Sequence, residues 1–288
     1  MTTHSPVKKR VWEMEGGVNK RVWEVIEGMS SEDYFAHPAI SRSGLSKINR
    51  SPRHFLTQQS ETTAMLEGKA FHCAVLEPDH FKHRYSVAPS GIDRRTKEGK
   101  ASWTEFVESS KGTIVLTAEQ GEKIKDMQAG LNDVSIVSDL LADGRAEVSA
   151  FWQEKCRGLD IKCKCRPDFV SSDGEWMVDL KTTSGFADPE SFSKTVANFA
   201  YHSQAAWYLR GWEAVSGILP TFVFVVVENK APWGVAAYTL DESAIAEGWL
   251  RSLAALRKFA DWVAEGCEDT QGYPDEIQLL NLPDGLLR

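Results

Sequence analysis

Residues 161–183 read IKCKCRPDFVSSDGEWMVDLKTT, and the fold turns on how this stretch divides. Ile161 to Val170 and Trp176 to Leu180 alternate apolar and polar residues, and Asp173-Gly174 between them is a hairpin signal. The stretch therefore predicts two antiparallel strands. Successive side chains on a strand point to opposite faces, so Asp179 and Lys181 share one face and Leu180 points into the core. Asp168 stands across the turn on the neighbouring strand. Two carboxylates with an amine beside one of them suit holding a divalent cation and steadying a nucleophilic water next to it. Mg²⁺ favours hard oxygen ligands; Asp168 and Asp179 would supply carboxylates, and the Leu180 backbone carbonyl a further oxygen. Lys181 would orient the water or offset charge developing on phosphate oxygens. The D-x-K tripeptide alone is common and reads equally well as a surface ion pair, so its surroundings decide.

Working outward, Ala146 to Gln153 alternates like a further strand and carries Glu147. Downstream come helices over about 189–199 and 202–212. Gln204 and Tyr208 are four apart in the second and share a face. Strands over 222–227 and 234–238 follow. A final helix over about 242–265 places Ile245, Trp249, Leu253, Leu256, Phe259 and Val263 at helical spacing, the signature of a core-facing stripe. Upstream, short helices are expected over 43–48 and 51–56, the second with Ser51 as N-cap and Pro52 at its first position. A helix over 64–76 brings Gly68 and His72 onto one face. The polar stretch 89–102 reads as a loop, and a long helix is expected over 118–141. The whole predicts an α/β domain with a central mixed β-sheet flanked by helices.

Taken in order, glycine with histidine four residues on (Gly68, His72), a strand glutamate (Glu147), Pro167-Asp168, Asp179-Leu180-Lys181-Thr182 and Gln204-x-x-x-Tyr208 resemble the RecB-like branch of the PD-(D/E)xK nuclease superfamily. The similarity is closest to its RecE-type exonucleases, the exonuclease VIII family of prophage recombination. It is carried by Ser31-Glu32-Asp33-Tyr34, LEGKAFHCAVLEP at 66–78, Val87-Ala88-Pro89 with Arg94-Arg95-Thr96, Cys165 to Asp168, Asp179 to Thr183, and Pro220 to Phe224. The resemblance spans residues 30–288 and implies a PD-(D/E)xK nuclease domain there. By it, His72, Asp168 and Asp179 are metal ligands, Lys181 is the catalytic lysine, Gln204 and Tyr208 support the active site or the DNA backbone, and Glu147 is an upstream acid able to serve a second metal. It further implies digestion of linear duplex DNA from 5′ ends to leave 3′ single strands, a ring-shaped homo-oligomer, a single-strand annealing partner of the RecT type, and a bacterial, phage or prophage origin. The alternatives are an endonuclease of the same superfamily and a non-catalytic DNA-binding scaffold. Residues 1–29 lie outside the resemblance. They carry a short tandem copy, Lys9-Arg10-Val11-Trp12-Glu13 and Lys20-Arg21-Val22-Trp23-Glu24, and read as a flexible arm or a partner-binding peptide.

The bulk numbers narrow the choice. The chain has 288 residues, 42% hydrophobic, enough for a sizeable core. A net charge of −8 argues against a non-specific nucleic-acid coat, so DNA contact needs local basic patches. Two exist: Arg42, Lys47, Arg50 and Arg53, and Arg94, Arg95, Lys97 and Lys100. The five cysteines form no disulfide framework. Only Cys267 follows the candidate site, where an iron–sulfur member of the RecB-like branch would carry a C-x-x-C group, so no cluster is expected. No glycine-rich phosphate loop occurs and no ATP-driven motor is expected. No apolar run reaches the roughly 18 residues of a membrane span, and the reading is a cytoplasmic protein. Mn²⁺ should replace Mg²⁺, since oxygen and imidazole ligands suit both.

Overall fold

The computed structural model describes residues 10–12, 23–58 and 60–280. In chain order it begins with β1 (Arg10–Trp12), β2 (Trp23–Ile26), α1 (Ser31–Ala36), β3 (Ile40–Ser41), α2 (Arg42–Arg50), α3 (Pro52–Leu56), α4 (Thr63–Leu76) and α5 (Pro78–Arg84). β4 (Tyr85–Val87), α6 (Lys97–Ser109), β5 (Ile114–Leu116), α7 (Ala118–Asn132) and α8 (Ser135–Leu140) follow. The strands β6 (Gly144–Ala146), β7 (Ser149–Cys156), β8 (Leu159–Cys165), β9 (Phe169–Ser171) and β10 (Trp176–Thr183) come next. Helices α9 (Pro189–Phe199) and α10 (Tyr201–Ser216), strands β11 (Thr221–Glu228) and β12 (Val235–Tyr238), and helix α11 (Glu242–Ala264) complete the fold.

The strands form two five-stranded sheets, ordered β1-β2-β7-β8-β3 and β12-β11-β10-β9-β6, with β4 and β5 paired separately. Both large sheets are mixed: β10 and β11 run parallel, as do β3 and β8, while the remaining pairs in these sheets are antiparallel. The parallel step from β10 to β11 needs a crossover, supplied by α9 and α10. The apolar run in β11 is explained by its two buried faces. Phe222, Phe224 and Val226 enter one core, with Trp152, Trp207 and Leu256. Val223, Val225 and Val227 enter the other, with Phe71, Met127 and Leu180.

The two copies of the tandem segment meet: Trp12 stands opposite Trp23 in the antiparallel β1–β2 pair. β2 in turn pairs with β7, so sheet hydrogen bonding crosses the boundary read from sequence after residue 29. The rest of residues 1–22 lies outside the described residues.

Three local expectations are corrected. The 89–102 loop ends at Thr96, whose side chain accepts from the Gly99 amide at 3.0 Å and caps α6; the first half of that helix is polar, and its large apolar residues Trp103, Phe106 and Val107 come only after residue 102. The long helix stops at Asn132, because α7 and α8 turn separately about Asp133-Val134. The strands expected over 146–153 and 161–170 are each interrupted. β6 and β9 belong to one large sheet, β7 and β8 to the other, so a single long hairpin bends between the sheets at residues 147–148 and 166–168. Glu147 makes its bend with a left-handed φ of 51°, a conformation uncommon for a non-glycine residue. Its amide donates to the Asp168 carbonyl at 2.9 Å, tying the two bends together.

Candidate metal and catalytic site

The bend sets the site. β9 pairs antiparallel with β10, Phe169 opposite Val178, so Asp168 follows in register beside Asp179. The Leu180 amide donates to Asp168 Oδ2 at 2.7 Å while the Leu180 side chain is wholly buried. α4 lies against β10 and brings His72 in from above, its Nδ1 at 3.4 Å from Asp168 Oδ2. His72, Glu147 and Asp168 each offer a ligand atom, all within 4.8 Å of one another. Two oxygens and an imidazole nitrogen at that spacing fit a divalent cation with room for waters in its shell.

The charges fit the same conclusion. Asp168 stands near both Glu147 and Asp179, with Arg166 paired to Glu147 at 2.8 Å and Lys181 paired to Asp179. Burial, with Asp168 next to it, pushes the Glu147 carboxyl up to about 7. Burial also raises Asp179, to about 6, against the pull of Lys181. Asp168 lies lower than usual: burial opposes its charge, but His72, Lys181 and the Leu180 amide outweigh it. His72 is raised, Asp168 overcoming its burial.

Lys181 faces the other side of this cluster. Its ammonium lies against the Asp179 carboxylate and 4.8 Å above the Tyr201 ring. Gln204 Nε2 donates to the second Asp179 oxygen at 2.7 Å. Asp179 is thus engaged by Lys181 and Gln204, and the third group within 4.8 Å of His72 and Asp168 is Glu147. Tyr208, one turn beyond Gln204, is half-buried against Phe222, and its hydroxyl pKa is raised far above the ordinary value, by burial first and then by surrounding acidic groups, Asp179 among them.

The profile of the PDDEXK-like domain of unknown function (DUF3799) matches residues 41–271. The chain belongs to this family. The match covers the whole of the bent hairpin, β10 and α10, and the architecture is the PD-(D/E)xK nuclease fold. A search of curated proteins found no match. Among solved structures, a protein of Eubacterium rectale described as a "putative exonuclease" aligns with a TM-score of 0.55 at 14% identity, covering 87% of this chain and 96% of its own. The protein SSO0001 aligns with a TM-score of 0.29 at 15% identity over 68% of this chain and 88% of its own. Rai1 of Scheffersomyces stipitis aligns with a TM-score of 0.28 at 14% identity over 61% of this chain and 52% of its own. Only the first of these bears on the fold of this PDDEXK-like domain.

Two residues of the PDDEXK-like site escaped the sequence reading. Arg166 anchors Glu147 and also donates to the Met29 carbonyl at 2.8 Å; its place directly before Pro167-Asp168 was the available signal. Tyr201 supplies the ring beneath Lys181, and its spacing of three from Gln204 would have placed it on the same helix face. The basic residues read as DNA contacts fall in two places. Arg94 stacks on Trp103 at 4.5 Å, and Arg95 holds Asp93 through two hydrogen bonds of 2.9 and 2.8 Å; both are exposed, as is Lys97. Arg42 donates to the carbonyls of Phe199 and Ala200 at 2.8 and 2.7 Å, and Lys47 reaches the Thr57 carbonyl at 3.4 Å. Among the described residues no helix is long and apolar enough to cross a membrane.

Proposed function

We propose that this protein is a divalent-metal-dependent exodeoxyribonuclease that digests linear duplex DNA from its ends. The observation that carries the reading is the convergence of His72, Glu147 and Asp168 within 4.8 Å on one side of β10, with Lys181 and Asp179 on the same strand end. When bound there, Mg²⁺ or Mn²⁺ neutralises charge on the phosphate and lowers the pKa of its water. The protein's own groups do the rest. His72, Glu147 and Asp168 would hold the ion, and Asp179 orients Lys181. Lys181 directs the attacking water and offsets charge as it develops on the phosphate oxygens. Gln204 fixes the rotamer of Asp179, and Tyr201 keeps the Lys181 ammonium from swinging outward.

The choice of an exonuclease rests on the RecE-type resemblance in sequence and on the description of the Eubacterium rectale neighbour as an exonuclease. With it come 5′-to-3′ polarity, 3′ single-stranded products for a RecT-type annealing partner, a ring-shaped oligomer and a cytoplasmic, phage-type recombination role. The test is incubation of end-labelled linear duplex and covalently closed plasmid with Mg²⁺, Mn²⁺, Ca²⁺ or EDTA. Loss of label from 5′ ends of the linear DNA with Mg²⁺ and Mn²⁺, an intact plasmid, and no reaction with Ca²⁺ or EDTA are expected. Cutting of the closed plasmid would identify an endonuclease, and full digestion in EDTA would defeat the metal site.

A further inference from the structure

A cleft between α2 and α3, with a volume of 670 Å³, is lined by Arg42, Lys47, Arg50, Arg53 and His54. The other lining groups are serine, threonine and glutamine side chains; no carboxylate lines it among the described residues. On a chain with a net charge of −8, four permanent cations facing one concavity is a marked segregation of charge.

The bland explanation covers only part of it. Lys47 and Arg50 occupy the last turn of α2, where cations complement the helix dipole. Arg42 is the first residue of the same helix, at the end where a positive charge is disfavoured. It is held there by the C-terminal carbonyls of α9, Phe199 and Ala200. The next residue in the chain is Tyr201, which lies under Lys181. The inner end of the cleft is thus one residue from the reaction centre, and the Asp179 charge reaches the Arg42 guanidinium. The outer end lies at His54, against Tyr273 at 5.5 Å.

The spacing discriminates between ligands. Arg42 and Arg50 are eight residues apart on a helix, a rise of about 12 Å. Duplex DNA advances about 3.4 Å per nucleotide along its axis, so a row of that length spans more than one phosphate of a strand rather than a single anion. We propose that this cleft cradles the sugar-phosphate backbone of the DNA strand that leads into the active site, with Lys47, Arg50 and Arg53 on its phosphates and Arg42 at the threshold. The inference rests on the nuclease reading for its direction, but its test does not require cutting.

The test is fluorescence anisotropy of a labelled 20-base-pair duplex in EDTA, titrated over a range of salt, for the full chain, Arg50→Gln alone, the pair Lys47→Gln with Arg50→Gln, and the pair Arg94→Gln with Arg95→Gln. Removing two phosphate contacts lowers the slope of log K against log salt by about 1.8 and weakens binding more than about tenfold at 0.1 M salt. Arg50→Gln, at an exposed position, gives half that slope change, which separates lost contacts from misfolding. Unchanged affinity and slope in both cleft variants, a drop only in the Arg94 and Arg95 pair, or no DNA binding by the unmodified chain would overturn the cleft. Binding through the cleft with no cutting under any divalent ion would instead overturn the nuclease reading and leave the cleft standing.

Discussion

Lys181 is confined on two sides, by the Asp179 carboxylate and by the Tyr201 ring 4.8 Å away, and its side chain is 15% exposed. A cation so fixed acts without reorganising when charge builds on a phosphate. Lys181→Ala should lower kcat by about 10²–10³ and leave DNA affinity in EDTA close to that of the parent chain, measured by single-turnover digestion and by anisotropy. Equal losses in both would make Lys181 a binding residue only. The metal-side groups predict a pH dependence. Glu147, raised to about 7, is protonated below that value in the ion-free protein, and a cation must displace the proton. Mg²⁺ affinity should therefore climb as pH rises towards about 7 and level off above it, with protons released on binding. Calorimetry in buffers of different ionisation enthalpy measures both. Glu147→Gln should weaken binding and flatten the profile. Strand alternation is a local rule and places Asp179 and Lys181 on one face of β10, whereas Asp168 lies in the bend between β8 and β9 and was marked only by the Pro167-Asp168 motif. Glu147 was visible as a strand acid, but its place in the cluster depends on a left-handed turn between two sheets, which no local pattern encodes.

Helix α10 presents Tyr201, Gln204 and Tyr208 towards the sheet, and its position depends on close backbone approach. A Cβ at Gly248 of α11 would lie 2.2 Å from the His202 carbonyl oxygen of α10, and one at Gly211 of α10 would lie 2.5 Å from the Trp152 ring. Both glycines are contact points between layers. Gly248→Ala should destabilise the fold by about 1–3 kcal/mol, as overpacking does. By shifting the start of α10 it should also loosen the Gln204 contact to Asp179. Thermal melting and kcat together check this; an unaltered Tm would show that α11 slides without strain. α11 was legible through the helical spacing of its apolar residues and β10 through alternation, while β11 read as a strand from a short continuous apolar run. α6 was not legible, because its first half is polar and its large apolar residues are confined to Trp103, Phe106 and Val107 near the end. The short β4–β5 pair was missed too, since three-residue strands carry too little alternation to register.

At the scale of the molecule, the order of motifs was readable but the division of the strands into two sheets was not. Each half of the long hairpin reads as one continuous strand until the partners are known, and those partners lie far apart in sequence: β2 beside β7, β11 beside β10. Large apolar side chains remain on the outside, among them Phe35 at 68% and Phe186 at 69% exposure. A ring of several subunits would cover some of that surface. Light scattering after gel filtration should give a mass of three or more chains, and Phe186→Ser should lower the assembly number if that face is covered. A single-chain mass for the parent protein would remove the ring from the proposal.

The fold in the long hairpin has a mechanical meaning as well as a chemical one. Glu147 and Asp168 are the very residues at which the polypeptide passes from one sheet to the other, so an ion seated on them is a rivet through the joint between the two halves. Saturation at a hundredfold over Kd would contribute about 2.7 kcal/mol to the native state. Chelation should then do more than silence the enzyme: it should lower the melting temperature and let the two sheets part company in separate steps.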